Sequence, residues 1–248
     1  MKKIASIVAI ISSIALNADM VKIEGAIGGW NQKPSGNAYY NAGHGITGEN
    51  RFDENKDTSI YAWILLKHSV PIVPNIRVEY VDIEATGQAS GAWNGIDIPG
   101  SSKSNFKAKE YDIIPYYNIL DNTAWTTIDL GIDIKIIDAD FKVEPKGIFK
   151  GYEDSTTVPI PLGYFRARVE IPTTNIGLES DIKYISISSS KIYDFRAKAD
   201  YTFDLPSSIK PALEIGYRRQ KIKIDEDDYD VKTDVDFSGI YGGLMFRF

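Results

Sequence analysis

In TTIDLGIDIKI, residues 126–136, Asp129, Asp133 and Lys135 carry odd residue numbers, while Ile128, Leu130, Ile132, Ile134 and Ile136 carry even ones. The same interleaving places Arg77 beside Glu79, and Arg166 and Arg168 beside Glu170. It continues through Glu179, Asp181 and Lys183, through Asp194, Arg196, Lys198 and Asp200, and through Glu214 and Arg218. Acids and bases spaced in this way have two uses if they share one interior. They pair into charge-assisted hydrogen bonds that make a rigid plug, or they line a narrow path for water, ions or small polar solutes. Either use needs a scaffold that turns all of these side chains toward a common axis.

Period-two alternation specifies strands, because successive side chains of an extended chain point to opposite faces. In IYDFRAKADYTFDL, Tyr193, Phe195, Ala197, Ala199, Tyr201, Phe203 and Leu205 share the face opposite the charges, with aromatics toward both ends. GYFRARVEIP, NIGLESDIKYIS and KPALEIGYRRQ repeat the pattern. Near the front, Ile76, Val78 and Tyr80 oppose Arg77 and Glu79, and Val21, Ile23 and Ile27 oppose Lys22 and Glu24. EYDIIPYY groups Tyr111, Ile113, Pro115 and Tyr117, whereas TSIYAWILLKH is apolar on both faces and cannot be oriented. About ten strands result. Their connections alternate between long (31–57, 85–105, 138–157 and the acidic DEDDYDVKTDVD) and short (SVPIVPN, LDNTA, PTTN, LPSS), with the brief SISSSK as the exception. Prolines are expected mostly in the short connections, where a ladder donor is not missed.

Such strands suit a soluble sandwich or barrel as well as a transmembrane one, with the two faces exchanged. Composition is neutral on this point: 43% hydrophobic, 25% charged, mean hydropathy −0.21. The start, MKKIASIVAIISSIALNA, has two lysines, an apolar segment and a small residue at Ala18, the build of a secretory signal cleaved to leave residues 19–248. Removing Lys2 and Lys3 takes the formal charge from −6 to −8, which with export argues against nucleic acid. With no cysteine, disulfides and thiolate chemistry are excluded.

The end of the chain breaks the tie. YGGLMFRF closes on Phe248, with Phe246, Leu244 and Ile240 on the same face and Gly243 at a small position. Tyr241, Gly243, Phe246 and Phe248 resemble the C-terminal signal of Gram-negative outer-membrane β-barrel proteins, which the barrel assembly machinery recognises. The resemblance implies an all-β, up-and-down antiparallel transmembrane β-barrel of about ten strands. Ile128 to Ile136 would face lipid and the charges would face the lumen. It implies a monomer in outer-membrane lipid, with no cofactor.

Catalytic signals are weak. Omptin-type proteases also have ten strands and use Asp–Asp and Asp–His pairs at the external rim, and lipid A deacylases pair a rim His with Ser. Here His44 lies in NAGHGITG with no acid two residues away and no nearby serine, and His68 falls at the opposite end. The acidic run Asp225, Glu226, Asp227, Asp228 and Asp230 lacks the glycine and terminal glutamate of a calcium loop, and reads as a solvated loop. Trp93 is a candidate binding aromatic in a loop, while Trp30, Trp63 and Trp125 are expected as interfacial anchors. The expected function is structural or surface-binding and non-enzymatic, with a narrow pore and a soluble secreted β-protein as alternatives.

Overall fold

The computed structural model describes residues 21–41, 46–53, 55–70, 72–145, 149–225 and 231–248. The expected signal segment, 1–18, lies outside them. The strands are β1 (Val21–Asn41), β2 (Ile46–Phe52), β3 (Asp57–His68), β4 (Asn75–Trp93), β5 (Ile96–Thr123) and β6 (Thr126–Glu144). They continue as β7 (Tyr152–Glu170), β8 (Ile176–Ile187), β9 (Ser190–Thr202), β10 (Lys210–Ile224) and β11 (Val231–Arg247). All pairings are antiparallel, and β2 and β3 stack end to end between β1 and β4, so the wall has ten positions. Pairing of β11 with β1, from Glu24 opposite Arg247 to Tyr40 opposite Val231, closes it.

Ladder partners followed once around the wall run Glu170, Gly177, Asp200, Glu214, Gly243, Gly28, Tyr61, Val81, Glu110, Ile137 and Val158. The circuit leaves β7 at residue 170 and returns to it at residue 158. The offset is even, so an inward residue is always laddered to an inward residue. A stagger of this size over ten strands corresponds to a tilt of about 40° and a backbone radius of about 10 Å. Arginine, lysine and glutamate side chains from opposite walls therefore meet near the axis.

Each long strand changes character partway along. On β6 the outward residues up to Ile136 are aliphatic and Asp129, Asp133 and Lys135 are enclosed; beyond it Asp138, Asp140 and Lys142 turn outward, and Ile137 and Val143 are enclosed. On β4 the change falls between Tyr80 and Asp82, with Arg77 and Glu79 inward below it and Val81, Ile83 and Ala85 inward above. On β10 it falls between Tyr217 and Arg219 outside, with Arg218 and Gln220 giving way to Ile222 inside. The outside thus carries an apolar belt near the end that holds Val21 and Phe248, including Ile132 at 58% and Ile215 at 65% exposure. A continuous band of exposed aliphatics around a barrel is the mark of a lipid-facing wall. Above it the chain follows the soluble rule, polar outside and apolar inside.

This inversion accounts for the main departure from the sequence reading. The segments taken as long loops are largely strand: β1 and β2 cover much of 31–57, the tops of β4 and β5 meet at Asn94–Gly95, and β6 and β7 run on to Glu144 and from Tyr152. Their outward residues are polar, so the membrane-strand pattern ends although the strand does not. Asn94 and Gly95 both have positive φ, 47° and 76°, as a two-residue hairpin turn requires. Strands of 19 and 28 residues exceed the roughly 9–11 needed to cross a bilayer, so the barrel projects beyond it.

The prolines also differ from expectation. Pro34, Pro99, Pro115, Pro159, Pro161 and Pro211 lie within strands. Between Tyr152 and Leu162, β7 is laddered to β6, and its pairing with β8 begins only at Gly163. Pro159 and Pro161 sit opposite Ile136 and Ile134 of β6, which a proline permits only with its nitrogen turned away from that partner. Their missing donors fall on the open edge and keep it from recruiting another strand.

The closed wall gives the first prediction. The purified barrel, run in SDS without boiling, migrates differently from the boiled chain; identical mobility would show that the ten strands do not close.

Candidate functional site

Most of the charges expected in the lumen lie within a single connected network. Near the terminal end, Arg168 grips Asp200 through both Nη atoms at 2.6 and 3.0 Å and reaches Glu179 at 3.2 Å. Arg166 bridges Asp129 at 2.6 Å and Glu179 at 2.7 Å. In the middle, Arg77 donates to Glu79 at 2.5 Å and Glu179 at 3.3 Å, and Arg196 holds Asp181 and Glu79. Lys198 meets Glu214 at 2.7 Å, and the same carboxylate accepts from the Tyr61 hydroxyl at 2.7 Å and the Trp63 indole at 3.2 Å. Toward the upper level, Lys183 binds both Glu79 and Asp112 at 2.5 Å, Lys135 binds Asp112 and Glu110, and Arg218 holds Asp194. Pairs such as Lys183 with Glu79 join strands that are not neighbours, so they cross the lumen.

One expected lumen residue belongs elsewhere. Glu170 ends β7 at the rim, where its side chain is 43% exposed and accepts from Arg168 at 2.7 Å. Three enclosed carboxylates were not anticipated: Glu24, Glu110 and Asp112. The parity of Tyr111 to Tyr117 points Glu110 and Asp112 inward, but their inward neighbours Ile114 and Tyr116 are apolar and hide the pattern.

Two tryptophans are corrected as well. Trp30 and Trp63 are enclosed rather than interfacial, and their rings receive cations. Arg218 lies 4.7 Å from the Trp30 centroid, and Arg77 and Lys198 lie 4.6 and 4.5 Å from that of Trp63. Trp125, 56% exposed in a turn, keeps an anchor's position. Trp93 is also buried, packed with Tyr40, Phe141 and Tyr152, with its indole donating to the Ser90 carbonyl at 3.1 Å.

Two features complete the interior. Above the charges, Ile83, Ile137, Ile192, Ile222 and Phe237 form an apolar layer across the barrel. Within the charged layer, Asp133 is fully enclosed, yet among the described residues neither of its oxygens has a hydrogen-bond partner. The acids outnumber the bases there: the enclosed carboxylates are the three unanticipated ones with Glu79, Asp129, Asp133, Glu179, Asp181, Asp194, Asp200 and Glu214. Against them stand Arg77, Lys135, Arg166, Arg168, Lys183, Arg196, Lys198 and Arg218, with Arg247 near the rim.

The residues of the terminal signal divide between the two faces. Phe246 and Phe248 are outward and exposed, while Tyr241 is inward, edge-to-face with Tyr61 at 5.4 Å. A side chain at Gly243 would meet the Ile27 carbonyl and the Tyr61 hydroxyl, both at 2.5 Å. The glycine leaves Tyr61 room to reach Glu214. His68 sits at the terminal end, its ring against the Pro74 carbonyl at 3.2 Å and the Val70 amide. His44 lies outside the described residues, as do Glu226, Asp227, Asp228 and Asp230; Asp225 pairs with Lys232 at 3.2 Å. Among the described residues no group of three His, Cys, Asp or Glu is arranged to hold a metal.

The network makes a quantitative distinction. Lys183→Met leaves Glu79 and Asp112 without their shared cation, and the expected loss is about 3–5 kcal/mol in urea unfolding from detergent. Lys107→Gln, which removes the exposed pair with Glu84, leaves the midpoint unchanged. Equal effects from the two would mean that the interior charges are solvated. Gly243→Val is expected to abolish the SDS-resistant form, since Tyr61 and the β1 backbone cannot both give way.

No protein-family model and no curated protein matches the sequence. Solved structures do match. The outer membrane protease OmpT from Escherichia coli aligns with a TM-score of 0.56 at 10% identity, covering 92% of this chain and 97% of that one. The translocator domain of the autotransporter NalP from Neisseria meningitidis aligns at 0.45 and 12% identity, covering 99% of this chain and 98% of that one. At 10% identity the likeness to OmpT shows the fold alone. The chain has the closed antiparallel fold of Gram-negative outer-membrane β-barrel proteins.

Proposed function

We propose that this chain is an outer-membrane protein with a closed interior, whose role is structural or surface-binding and is exercised on its external face. The observation that carries this reading is the filled lumen. A paired ionic layer occupies the level of the apolar belt, and the layer of Ile83, Ile137, Ile192, Ile222 and Phe237 lies above it. In this reading the termini lie on the periplasmic side, and the tall hairpins of β1–β2, β4–β5 and β6–β7 stand outside the cell. The barrel is a monomer in outer-membrane lipid, inserted by the assembly machinery through its last strand, with Tyr241, Gly243, Phe246 and Phe248 as the signal.

The reading is non-catalytic. His68 ends β3 at the periplasmic end, far from the external rim where a protease of this fold would need it. A second reading, a narrow cation path, is favoured by the surplus of carboxylates and by Asp133, an enclosed acid without a hydrogen-bond partner among the described residues.

Planar-bilayer recording separates the two. The closed reading expects no unitary conductance from heat-modifiable protein in potassium chloride. Steady cation-selective steps that change with Asp133→Asn would replace it with the pore.

A further inference from the structure

Among the described residues, every enclosed carboxylate but one is in ion-pair contact with a lysine or arginine. Even Glu24, near the rim, has Lys22 at 2.8 Å. Asp133 is the exception: no ion pair reaches it, and both of its oxygens lack a hydrogen-bond donor although the side chain is enclosed. The surplus of acids in the charged layer thus falls at one position.

The ladder shows why no partner reaches it. Asp133 lies opposite Leu162 on β7, and the pairing of Ile134 with Ile113 puts Ile114 beside it on β5. Both neighbours are enclosed, and neither side chain offers a donor. The charged groups that face Asp133 are Lys135 on its own strand, Asp112 on β5, Glu79 on β4 and Lys183 on β8. These are two cations and two anions, and they are already bound to one another. Lys183 holds Glu79 and Asp112, both at 2.5 Å, and Lys135 holds Asp112 at 2.8 Å. Asp133 adds to this group a negative charge that no described residue offsets.

An unpaired carboxylate between aliphatic side chains is costly, and a positive charge taken from solution removes the cost. A divalent ion fits poorly, because among the described residues no three acids converge on one point. We propose that Asp133 holds one monovalent cation from solution, an alkali metal ion or a proton, as the counter-charge that completes the ionic layer. The inference rests on the closed reading of the lumen, in which that cation is resident and not in transit. It gives the interior a ligand, and it ties the stability of the barrel to the ions around it.

The test follows thermal unfolding of the full barrel by circular dichroism in a non-ionic detergent, in sodium, potassium or choline chloride of equal ionic strength. A resident alkali ion raises the wild-type midpoint above its value in choline by roughly 5 °C at saturating salt. A resident proton instead makes the midpoint in choline fall as pH rises, and alkali salt adds nothing. In D133N, which removes the charge, either dependence is expected to vanish, while D140N, an outward acid on the same strand, keeps it. A wild-type midpoint that follows neither metal nor pH, or a D133N midpoint that follows them as wild type does, overturns the site. If D133N does not reach the heat-modifiable form, wild-type crystals grown from a thallium(I) salt are read instead. An anomalous peak beside Asp133 marks the metal, no peak with the pH response marks the proton, and no peak with a flat pH response overturns the site. Conductance steps in a planar bilayer would count against the closed reading alone, a separate result.

Discussion

A charge enclosed in a barrel is costly without a partner, and the interior of this barrel is organised around that cost, with Asp133 the exception. An isolated ion costs many kcal/mol to remove from water, and mutual attraction offsets the cost only when geometry is good and the remaining donors and acceptors are met. The ten-position wall brings opposite side chains within reach, and the stagger sets neighbours at successive heights. Arg168, Arg196 and Lys183 each serve two or more carboxylates, so the pairs merge into one structure. Aromatic rings extend it: Trp63 takes two cations on its ring while its N–H donates to Glu214.

The solvent outside determines what is permitted inside. At the belt the outer face is aliphatic, and folding has little apolar burial to gain inward, so specificity comes from ion pairs. Above the belt the outer face meets water, and the interior reverts to an ordinary apolar core of Trp93, Tyr40, Phe141 and Tyr152. A single strand such as β6 follows both rules, with Ile136 and Ile137 at the crossover. The tyrosines Tyr80 and Tyr217 lie at the same boundary on their strands.

Much of this was legible in the sequence where both faces of a strand are pure. TTIDLGIDIKI and IYDFRAKADYTFDL declare their orientation because charges and aliphatics never mix on a face. The legible part stops where side chains have two natures. In β3 the inward Tyr61 and Trp63 count as apolar in any pattern, yet their polar tips bind Glu214. The upper strands resemble loops in sequence because their outward residues are polar; the Asn94–Gly95 turn and the small-residue alternation of Ala85, Gly87 and Ala89 are the signals that mark them as strands. Position along a strand does not reveal which face a lone aromatic occupies, so Trp30 and Trp63 resemble interfacial anchors in sequence.

The seam between β1 and β11 has a consequence for how the molecule is made. It joins the first strand to the last, the pairing of greatest sequence separation and so the costliest loop closure. Until Gly28 and Gly243 meet, Glu24 has no Arg247, and Tyr61 cannot pass between them to Glu214. An unclosed sheet in lipid would hold a row of charges facing hydrocarbon. In a bilayer, partly assembled forms would be poor residents, which ties closure of the seam to insertion.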